Sequence, residues 1–294
     1  MSNIVKNYFK VLEVISSLNC KLEHKSDVGR KQKMSDLEVV ALSLTSEFMS
    51  TDSENSLFKQ INQGGIPNLI ERSQFNKRRR KLFLFSEEVR TKLAAAFLNF
   101  EDYFIVDSMP LEICKFSRHN RIKICKDDFE TAPSKGYCAS QNNWFYGYKL
   151  HGVCSVSGVF HSLDITKAEV HDVHFLKNIK QQMTDCVIIG DRGYVSESIQ
   201  LDLFQTVNIR LETPKRTNQK KYKPQPYIFR KSRKRIETLF SQLCDQFMIR
   251  RNYAKSFEGF KTRILAKITA LTLVQYINKF IFDRPINNIK NQII

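Results

Sequence analysis

Two short apolar runs, each closed by an aspartate, most constrain how this chain can fold. Residues 103–106 lead into Asp107, and residues 187–190 lead into Asp191. Runs of this length, bounded by polar residues, predict buried β-strands, and an aspartate after such a run is typical of a strand end. Because ligands of α/β sheets bind beyond the carboxyl ends of the strands, both aspartates are candidates for one functional site.

The elements around these runs predict a mixed α/β domain. A strand hairpin followed by alternating helices and strands indicates a mixed sheet with helices on its faces. Residues 117–143 are predicted to form a loop, which includes a turn at residues 133–136. The predicted strands cover residues 103–106, 144–154, 158–165, 186–189 and 207–211, and the predicted helices cover 170–183, 196–204 and 232–247.

The two ends of the chain have helical patterns. Residues up to about 99 are predicted to be helical, with a capping box formed by Ser35 and Glu38 and a further helix cap at Ser73. Residues 257–282 are predicted to form a long core helix, since polar residues interrupt the apolar stretch. We therefore predict a helical region over 1–99, a sheet domain over 100–255, and a C-terminal helical segment over 256–294 that packs on the sheet domain.

The charge of the chain points to a polyanionic partner. The net charge is +17 over 294 residues, and a hydrophobic content of 42% excludes a disordered chain. Residues 210–251 contain thirteen Lys or Arg against three Asp or Glu, a net charge of +10. Charge of this size favours nucleic acid or an anionic membrane surface as the partner.

Glu237 lies inside this basic stretch and is the third candidate acid. Helical spacing places it at the edge of an apolar face, one turn after Arg233. Each aspartate alone is consistent with a turn residue, and Glu237 alone is consistent with a solvent-exposed partner of Arg233 or Lys234. Three carboxylates beside basic residues are instead typical of metal-dependent phosphoryl transfer, since Mg²⁺ prefers oxygen ligands. The apolar face comprises Ile236, Leu239, Phe240, Leu243 and Phe247.

The cysteines and the chain termini predict a cytoplasmic protein. The seven cysteines are widely spaced and include no Cys-x-x-Cys pair, so reduced thiols are expected. No apolar segment follows residues 1–10, so no secretory signal is predicted. We expect no membrane partner.

The chain resembles bacterial insertion-sequence transposases of the Asp-Asp-Glu class and is most like the insertion-sequence 982 group. The resemblance implies a ribonuclease-H-like fold and metal-dependent cutting and joining of DNA. Its three acids map to Asp107, Asp191 and Glu237, but the chain has Arg230 and Cys244 where related signatures often carry a tyrosine and a basic residue. The segments that carry the resemblance are IVDSMP at 105–110, WFYGYKLH at 144–151, AEVHD at 168–172, IGDRGY at 189–194 and RKRIE at 233–237.

The resemblance also implies a cofactor and partners. We expect two Mg²⁺ or Mn²⁺ ions per active site, bound by the three acids. The expected partners are double-stranded DNA, as terminal inverted repeats and target DNA, and a second copy of the chain in a homodimer. A ribonuclease-H-like nuclease without strand transfer, or a non-catalytic DNA-binding remnant, are the alternatives.

Ten basic residues are predicted to contact DNA, mostly at phosphates that set register without reading sequence. Nearby, Trp144, Tyr146 and Tyr148 are predicted either to stack on exposed bases or to pack in the core of a hairpin. The predicted DNA-contacting residues are Arg78, Arg79, Arg80, Lys81, Lys149, His151, Arg192, Arg230, Arg233 and Lys234.

Overall fold

The computed structural model describes residues 3–20, 32–61, 65–98, 101–214 and 224–290. The chain divides into two compact units. The helical unit comprises Met1–Ala96 and Leu243–Ile294, and the sheet unit comprises Phe97–Gln242. The three prolines of the polar, basic stretch 213–226 predict a loop, and most of that stretch lies outside the described residues.

The helical unit contains six of the α-helices found in the described residues. The predicted capping box is confirmed, because the Glu38 amide donates to Ser35 Oγ at 3.2 Å and the Ser35 amide donates to Glu38 Oε2 at 2.6 Å. The cap predicted at Ser73 is wrong, because Glu71 precedes the helix and the backbone leaves the helical conformation at Leu82. The helices are α1 (Asn3–Ser17), α2 (Asp36–Phe48), α3 (Glu54–Ile61), α4 (Arg72–Lys81), α5 (Phe83–Ala95) and α9 (Phe257–Tyr276).

The position of α9 corrects the predicted domain division. The segment 256–294 belongs to the helical unit, and α9 packs on α2 and α5. The predicted division had instead set this segment apart as a third region. Within the described residues, Phe257–Ile281 is the one helical stretch long and apolar enough to cross a membrane. Of the 18-residue segment that meets this criterion, 78% is buried inside the protein, as expected for the predicted core helix.

The sheet unit is built on one mixed sheet. In the described residues six strands pair, with β1 antiparallel to β3 and parallel to β5, and with β6 parallel to β5. Both β2 and β4 pair with β3. This mixed sheet flanked by helices confirms the predicted α/β class, while the ribonuclease-H-like assignment stays a prediction. The strands are β1 (Tyr103–Cys114), β2 (Ser134–Cys138), β3 (Asn143–Ser155), β4 (Phe160–Lys167), β5 (Val187–Ile189) and β6 (Arg210–Glu212).

Three predicted elements of the sheet unit differ from the structure. The strand predicted over 103–106 continues to Cys114, because its whole length pairs with β3. The turn predicted at 133–136 is the beginning of β2, which also pairs with β3. The helix predicted over 170–183 is only a 3₁₀ turn, Asp172–Phe175, followed by α6 (Leu176–Ile179).

Helices cover both faces of the sheet. On one face, residues of α6 and α7 (Glu197–Val207) join a buried cluster with Val106 of β1 and Ile188 of β5. On the other face lies α8 (Tyr227–Asp245), where the Phe240 ring stacks on Phe160 of β4 with centroids 6.0 Å apart. Since side chains alternate along a strand, Asp107 points away from the Val106 face and towards the face that α8 covers.

The apolar face predicted for α8 is confirmed by burial. Ile236, Leu239 and Leu243 have no exposed surface, and Phe240 and Phe247 are almost fully buried. Glu237 borders this face and is exposed.

Candidate active site in the sheet unit

The parallel pairing of β1 and β5 brings the two predicted aspartates to the same level. The last paired residues are Ile105 and Ile189. Asp107 and Asp191 each follow two residues later, so both lie just beyond the carboxyl end of this parallel pairing. The prediction that Asp107 ends a strand is wrong. β1 continues beyond it as an antiparallel partner of β3, and Asp107 pairs with Gly152.

Asp107 is partly buried among charges of both signs. Burial raises the pKa of its carboxyl to about 7, and the nearby carboxylates of Asp191 and Asp172 act in the same direction. The Ser108 amide, which donates to Asp107 Oδ1 at 2.8 Å, and the Arg233 guanidinium lower the pKa but do not offset burial. A carboxyl with a raised pKa beside further acids is a common feature of functional sites.

Asp191 and Asp172 approach each other at Gly193. The Gly193 amide donates to Asp191 Oδ1 at 2.7 Å. A Cβ atom at Gly193 would lie 3.0 Å from Asp191 Oδ1 and 3.6 Å from Asp172 Oδ2, so the two carboxylates line the same small space. Burial raises the pKa of the Tyr194 hydroxyl, and the charges of three acids add to this effect: Asp172, Asp107 and Asp191. All three acids therefore lie near the Tyr194 side chain.

Two residues of β3 predicted to contact DNA are engaged inside the sheet unit. Lys149 Nζ donates to Asp172 Oδ1 at 3.0 Å and to the Val170 carbonyl at 2.9 Å, which fixes Asp172 beside the other acids. His151 has no exposed surface, and its Nε2 lies 2.8 Å from the Thr166 hydroxyl. A side chain without exposed surface cannot touch DNA, so the DNA contact predicted for His151 is wrong.

A cavity of about 390 Å³ opens beside Asp191. Arg192, Arg230 and Arg233 line it together with Asp191, so four of the predicted site residues surround one space. Arg192 and Arg230 are exposed, as is the predicted DNA contact Lys234. Guanidinium groups bind phosphate oxygens in a bidentate manner, and this cavity therefore has the composition of a phosphate site next to carboxylates.

Glu237 is not among the charged neighbours that shift the pKa of Asp107, which are Asp191, Arg233 and Asp172. It is exposed on α8, one turn after Arg233. Across the part of the chain that the structure describes, no three His, Cys, Asp or Glu side chains form a group that could hold a metal ion. The acid that the structure brings near Asp107 and Asp191 is Asp172, which sequence reasoning had not assigned to the site.

The chemistry of Asp107 and Asp191 fits a divalent cation. Both are oxygen donors, the ligands that Mg²⁺ and Mn²⁺ prefer. Burial raises the pKa of the Asp107 carboxyl, two neighbouring carboxylates add to that effect, and Arg233 is the one cation that opposes it. A hard dication beside the two carboxylates would act in the same direction as Arg233.

The basic cluster on α4, in the helical unit, is only partly exposed. Arg79 is buried, lies 3.0 Å from Glu54 and contacts Glu47, so its predicted DNA contact is wrong. Arg78 donates to the Met34 carbonyl and to Asp36, both at 2.5 Å. Within this cluster Arg80 is partly exposed and Lys81 is exposed, so these two remain predicted phosphate contacts.

Comparisons with known proteins identify the family. A family model described as "Transposase DDE domain" matches residues 99–273, which is more than half of the chain. The chain therefore belongs to the DDE-domain transposases, proteins of DNA transposition and DNA recombination. Its placement in the insertion-sequence 982 group stays a prediction.

Other comparisons add little. No curated protein matches the chain. A solved structure described as "Mos1 transposase paired-end complex with left transposon end" aligns with 90% of this chain and 85% of that chain, at 11% sequence identity and a TM-score of 0.24. A score this low supports no structural argument.

Proposed function

We propose that this transposase cuts DNA at the ends of an insertion sequence and joins the freed 3′-hydroxyl to target DNA, with divalent metal bound at Asp107 and Asp191. The observation that carries the proposal is the cavity lined by Asp191 and three arginines. Asp107, whose pKa responds to both Asp191 and Arg233, adjoins these residues.

The residues of the site divide the work of phosphoryl transfer. Arg192, Arg230 and Arg233 bind phosphate oxygens of the DNA backbone and hold the scissile group beside the acids. Two Mg²⁺ or Mn²⁺ ions, if held by these acids, would activate the attacking oxygen and stabilise the leaving oxygen. Asp107 and Asp191 provide the oxygen ligands.

The third acid is open to two assignments, and the structure and the family resemblance favour different residues. The resemblance assigns Glu237, which lies on the same helix as Arg233. Position favours Asp172, because it approaches Asp191 at Gly193 and Lys149 fixes it there. We propose that Asp107 and Asp191 hold metal in either case.

The test uses purified protein, Mg²⁺ and labelled duplex carrying the DNA that flanks its own coding sequence. Asp191→Asn is expected to lower nicking by about 100-fold or more, because metal and oriented charge each contribute several kcal/mol to such reactions. Asp102→Asn, an exposed aspartate just before β1, is the matched control and should retain nicking. Equal nicking by Asp191→Asn and the parent would contradict the proposal.

The same assay separates the remaining choices. The variants Glu237→Gln and Asp172→Asn identify the third acid, because only the substitution of that acid should abolish nicking. Products joined to a second, unlabelled plasmid demonstrate strand transfer, whereas nicked products alone would indicate a nuclease. Absence of both cleavage and a Mg²⁺- or Mn²⁺-induced thermal shift would indicate a non-catalytic remnant.

Partners and location belong to the same proposal. We propose that two copies of the chain hold two element ends, so that a homodimer forms on the DNA. The seven cysteines are all free thiols, and we propose a reducing, cytoplasmic location for the protein.

A further inference from the structure

An exposed aromatic pair lies on the hairpin of β2 and β3. Tyr137 and Trp144 face each other in the strand register, with ring centroids 5.4 Å apart and planes inclined by 57°. Trp144 is 58% exposed and Tyr137 is 47% exposed, whereas Phe145 and Tyr146, the next residues of β3, are buried. The pair therefore lies outside the core that the rest of β3 builds.

The aromatic surface continues beyond this pair. The His119 ring lies 5.5 Å from the Tyr146 ring, and the Phe116 ring stacks on His119 at 5.0 Å with planes inclined by 21°. The Lys126 ammonium lies 5.6 Å from the centre of the Tyr146 ring. In the strand register Lys135 is the direct partner of Tyr146. Aromatic rings and lysines thus alternate over one area.

Basic residues outnumber acids in the segment that carries most of these rings. Residues 115–144 contain six Lys or Arg against three Asp or Glu, a net charge of +3, and all six basic residues are exposed. A surface of this composition attracts polyanions and offers flat apolar faces to them. The six are Lys115, Arg118, Arg121, Lys123, Lys126 and Lys135.

The surface is separate from the acids of the active site. Trp144 precedes Gly152, the partner of Asp107, by eight residues on the same strand. At about 3.3 Å per residue this separation is about 26 Å. Binding at Trp144 is therefore measurable independently of the reaction at Asp107.

We propose that the hairpin aromatic surface, formed by Phe116, His119, Tyr137 and Trp144 and supported from below by the buried Tyr146, binds single-stranded DNA by stacking on its bases. Base stacking on aromatic side chains is the common mode of binding for unpaired strands, and neighbouring basic residues hold the phosphates. A duplex hides its base faces, so it can use only the basic residues of this surface. Cross-strand pairing alone accounts for the contact between Tyr137 and Trp144, whereas base stacking also gives a role to the exposed ring faces and to the lysines at Tyr146.

Fluorescence of the unaltered protein tests this proposal directly, because Trp144 is the only tryptophan in the chain. The full-length protein is titrated with an oligothymidylate of about 16 nucleotides, a length at the upper end of common single-strand sites, and separately with a blunt duplex of equal length. Saturable quenching or a spectral shift of Trp144 by the single strand, and a much smaller change with the duplex, is expected. Unchanged emission while the labelled single strand is bound would overturn the proposal, as would equal responses to both probes.

Variants give a second readout. Trp144→Ala is expected to weaken binding of the labelled single strand by about 10-fold or more and to leave duplex affinity within about 2-fold, since stacking is lost but charge is kept. Phe204→Ala, a 56% exposed aromatic on α7, is the matched control and should leave both affinities unchanged. Tyr137→Ala should also weaken single-strand binding and leave duplex affinity unchanged. Agreement between the two variants would show that the effect does not come from misfolding of one of them. Equal loss of single-strand and duplex affinity would overturn the proposal.

Two further outcomes are distinguishable. A change in Trp144 emission with protein concentration alone would show that a second copy of the chain covers the surface and would overturn the proposal. Failure of the parent protein to nick duplex DNA would contradict the proposed catalysis, yet the fluorescence titration would still decide single-strand binding.

Discussion

Glu47 in the helical unit and Asp107 in the sheet unit are both carboxylates withdrawn from solvent, but their surroundings differ in sign. Glu47 is 1% exposed and has Lys267 Nζ at 2.5 Å, Arg263 Nε at 3.2 Å and Arg79 Nη1 at 3.8 Å. Asp107 has two other aspartates and one arginine near it. The charge of Glu47 is compensated by three cations of the protein itself, whereas Asp107 lies beside two other acids and a single arginine.

The pKa values follow this difference. Burial lowers the pKa of Lys267 and of Arg79, and in both cases the charge of Glu47 counteracts that effect. Burial raises the pKa of Asp107 to about 7, and its acidic neighbours reinforce that effect. A buried carboxylate with a structural role, such as Glu47, thus has cations of the protein as neighbours. A carboxylate in a candidate functional site, such as Asp107, has other acids as neighbours.

The largest expected effect on stability comes from Glu47. We expect Glu47→Gln to lower the free energy of unfolding by about 3–5 kcal/mol, because it leaves buried cations without their partner. Urea unfolding measures the loss, with Glu13→Gln as the control, since its pair with Lys10 is exposed and is expected to contribute less than about 1 kcal/mol. Adding Lys267→Met to Glu47→Gln should recover part of the lost free energy of unfolding. If Glu47→Gln alone left the free energy of unfolding nearly unchanged, Glu47 would not be needed to compensate the buried cations.

His151 tests whether a buried group of the sheet unit without a fixed counter-charge stays neutral. Burial lowers its pKa from 6.5 to about 4, while Asp172 and Asp164 act in the opposite direction and Lys149 reinforces the shift. Between about pH 6.5 and 4 the unfolded chain takes up a proton that the folded protein resists, so stability falls as the pH falls, by up to about 3 kcal/mol.

The measurement for His151 is the pH dependence of urea unfolding. His151→Gln should remove this component of the slope between pH 4 and 6.5, whereas His174→Gln, at an exposed histidine, should keep it. An unchanged slope in His151→Gln would show that other groups cause the acid sensitivity.

Neutralising Asp107 should change the free energy of unfolding in the direction opposite to neutralising Glu47. In EDTA at pH 8, Asp107→Asn is expected to raise the free energy of unfolding by about 1–3 kcal/mol, because a partly buried, poorly compensated charge is removed. Since the folded pKa lies above the ordinary value of 3.8, the parent loses stability as the pH rises from about 4 to 7, and Asp107→Asn should not. Asp102→Asn should show neither change, and a destabilised Asp107→Asn would end the contrast with Glu47.

Local patterns in the sequence predicted several elements correctly. The capping box at Ser35, the hairpin of β3 and β4, and the buried face of α8 each depend on residues within one or two turns or on adjacent strands. Periodicity and capping residues carry this information because they concern neighbours along the chain. The three candidate acids were visible for the same reason, as was the basic stretch that supplies Arg230 and Arg233 to the cavity.

Patterns failed where distant segments decide the outcome. β2 looked like a loop because it is held by pairing with β3, and β1 extends beyond Asp107 for the same reason. Arg79 and His151 have the composition of DNA contacts, but tertiary packing buries both. Asp172 follows Asp107 by many residues and carried no local signal beyond its place in a family segment.

The sequence by itself determined the class of chemistry: acids at the ends of apolar runs, a third acid in a basic helix, and a family resemblance that the matching transposase domain bears out. Only the tertiary structure decided which charges meet. It placed Asp107 and Asp191 at one level through the pairing of β1 with β5, brought Asp172 to them, left Glu237 exposed, and buried Glu47 among cations. The physical reason is that residue type and spacing fix what a side chain can do, whereas burial and charge neighbours depend on contacts between segments far apart in the chain.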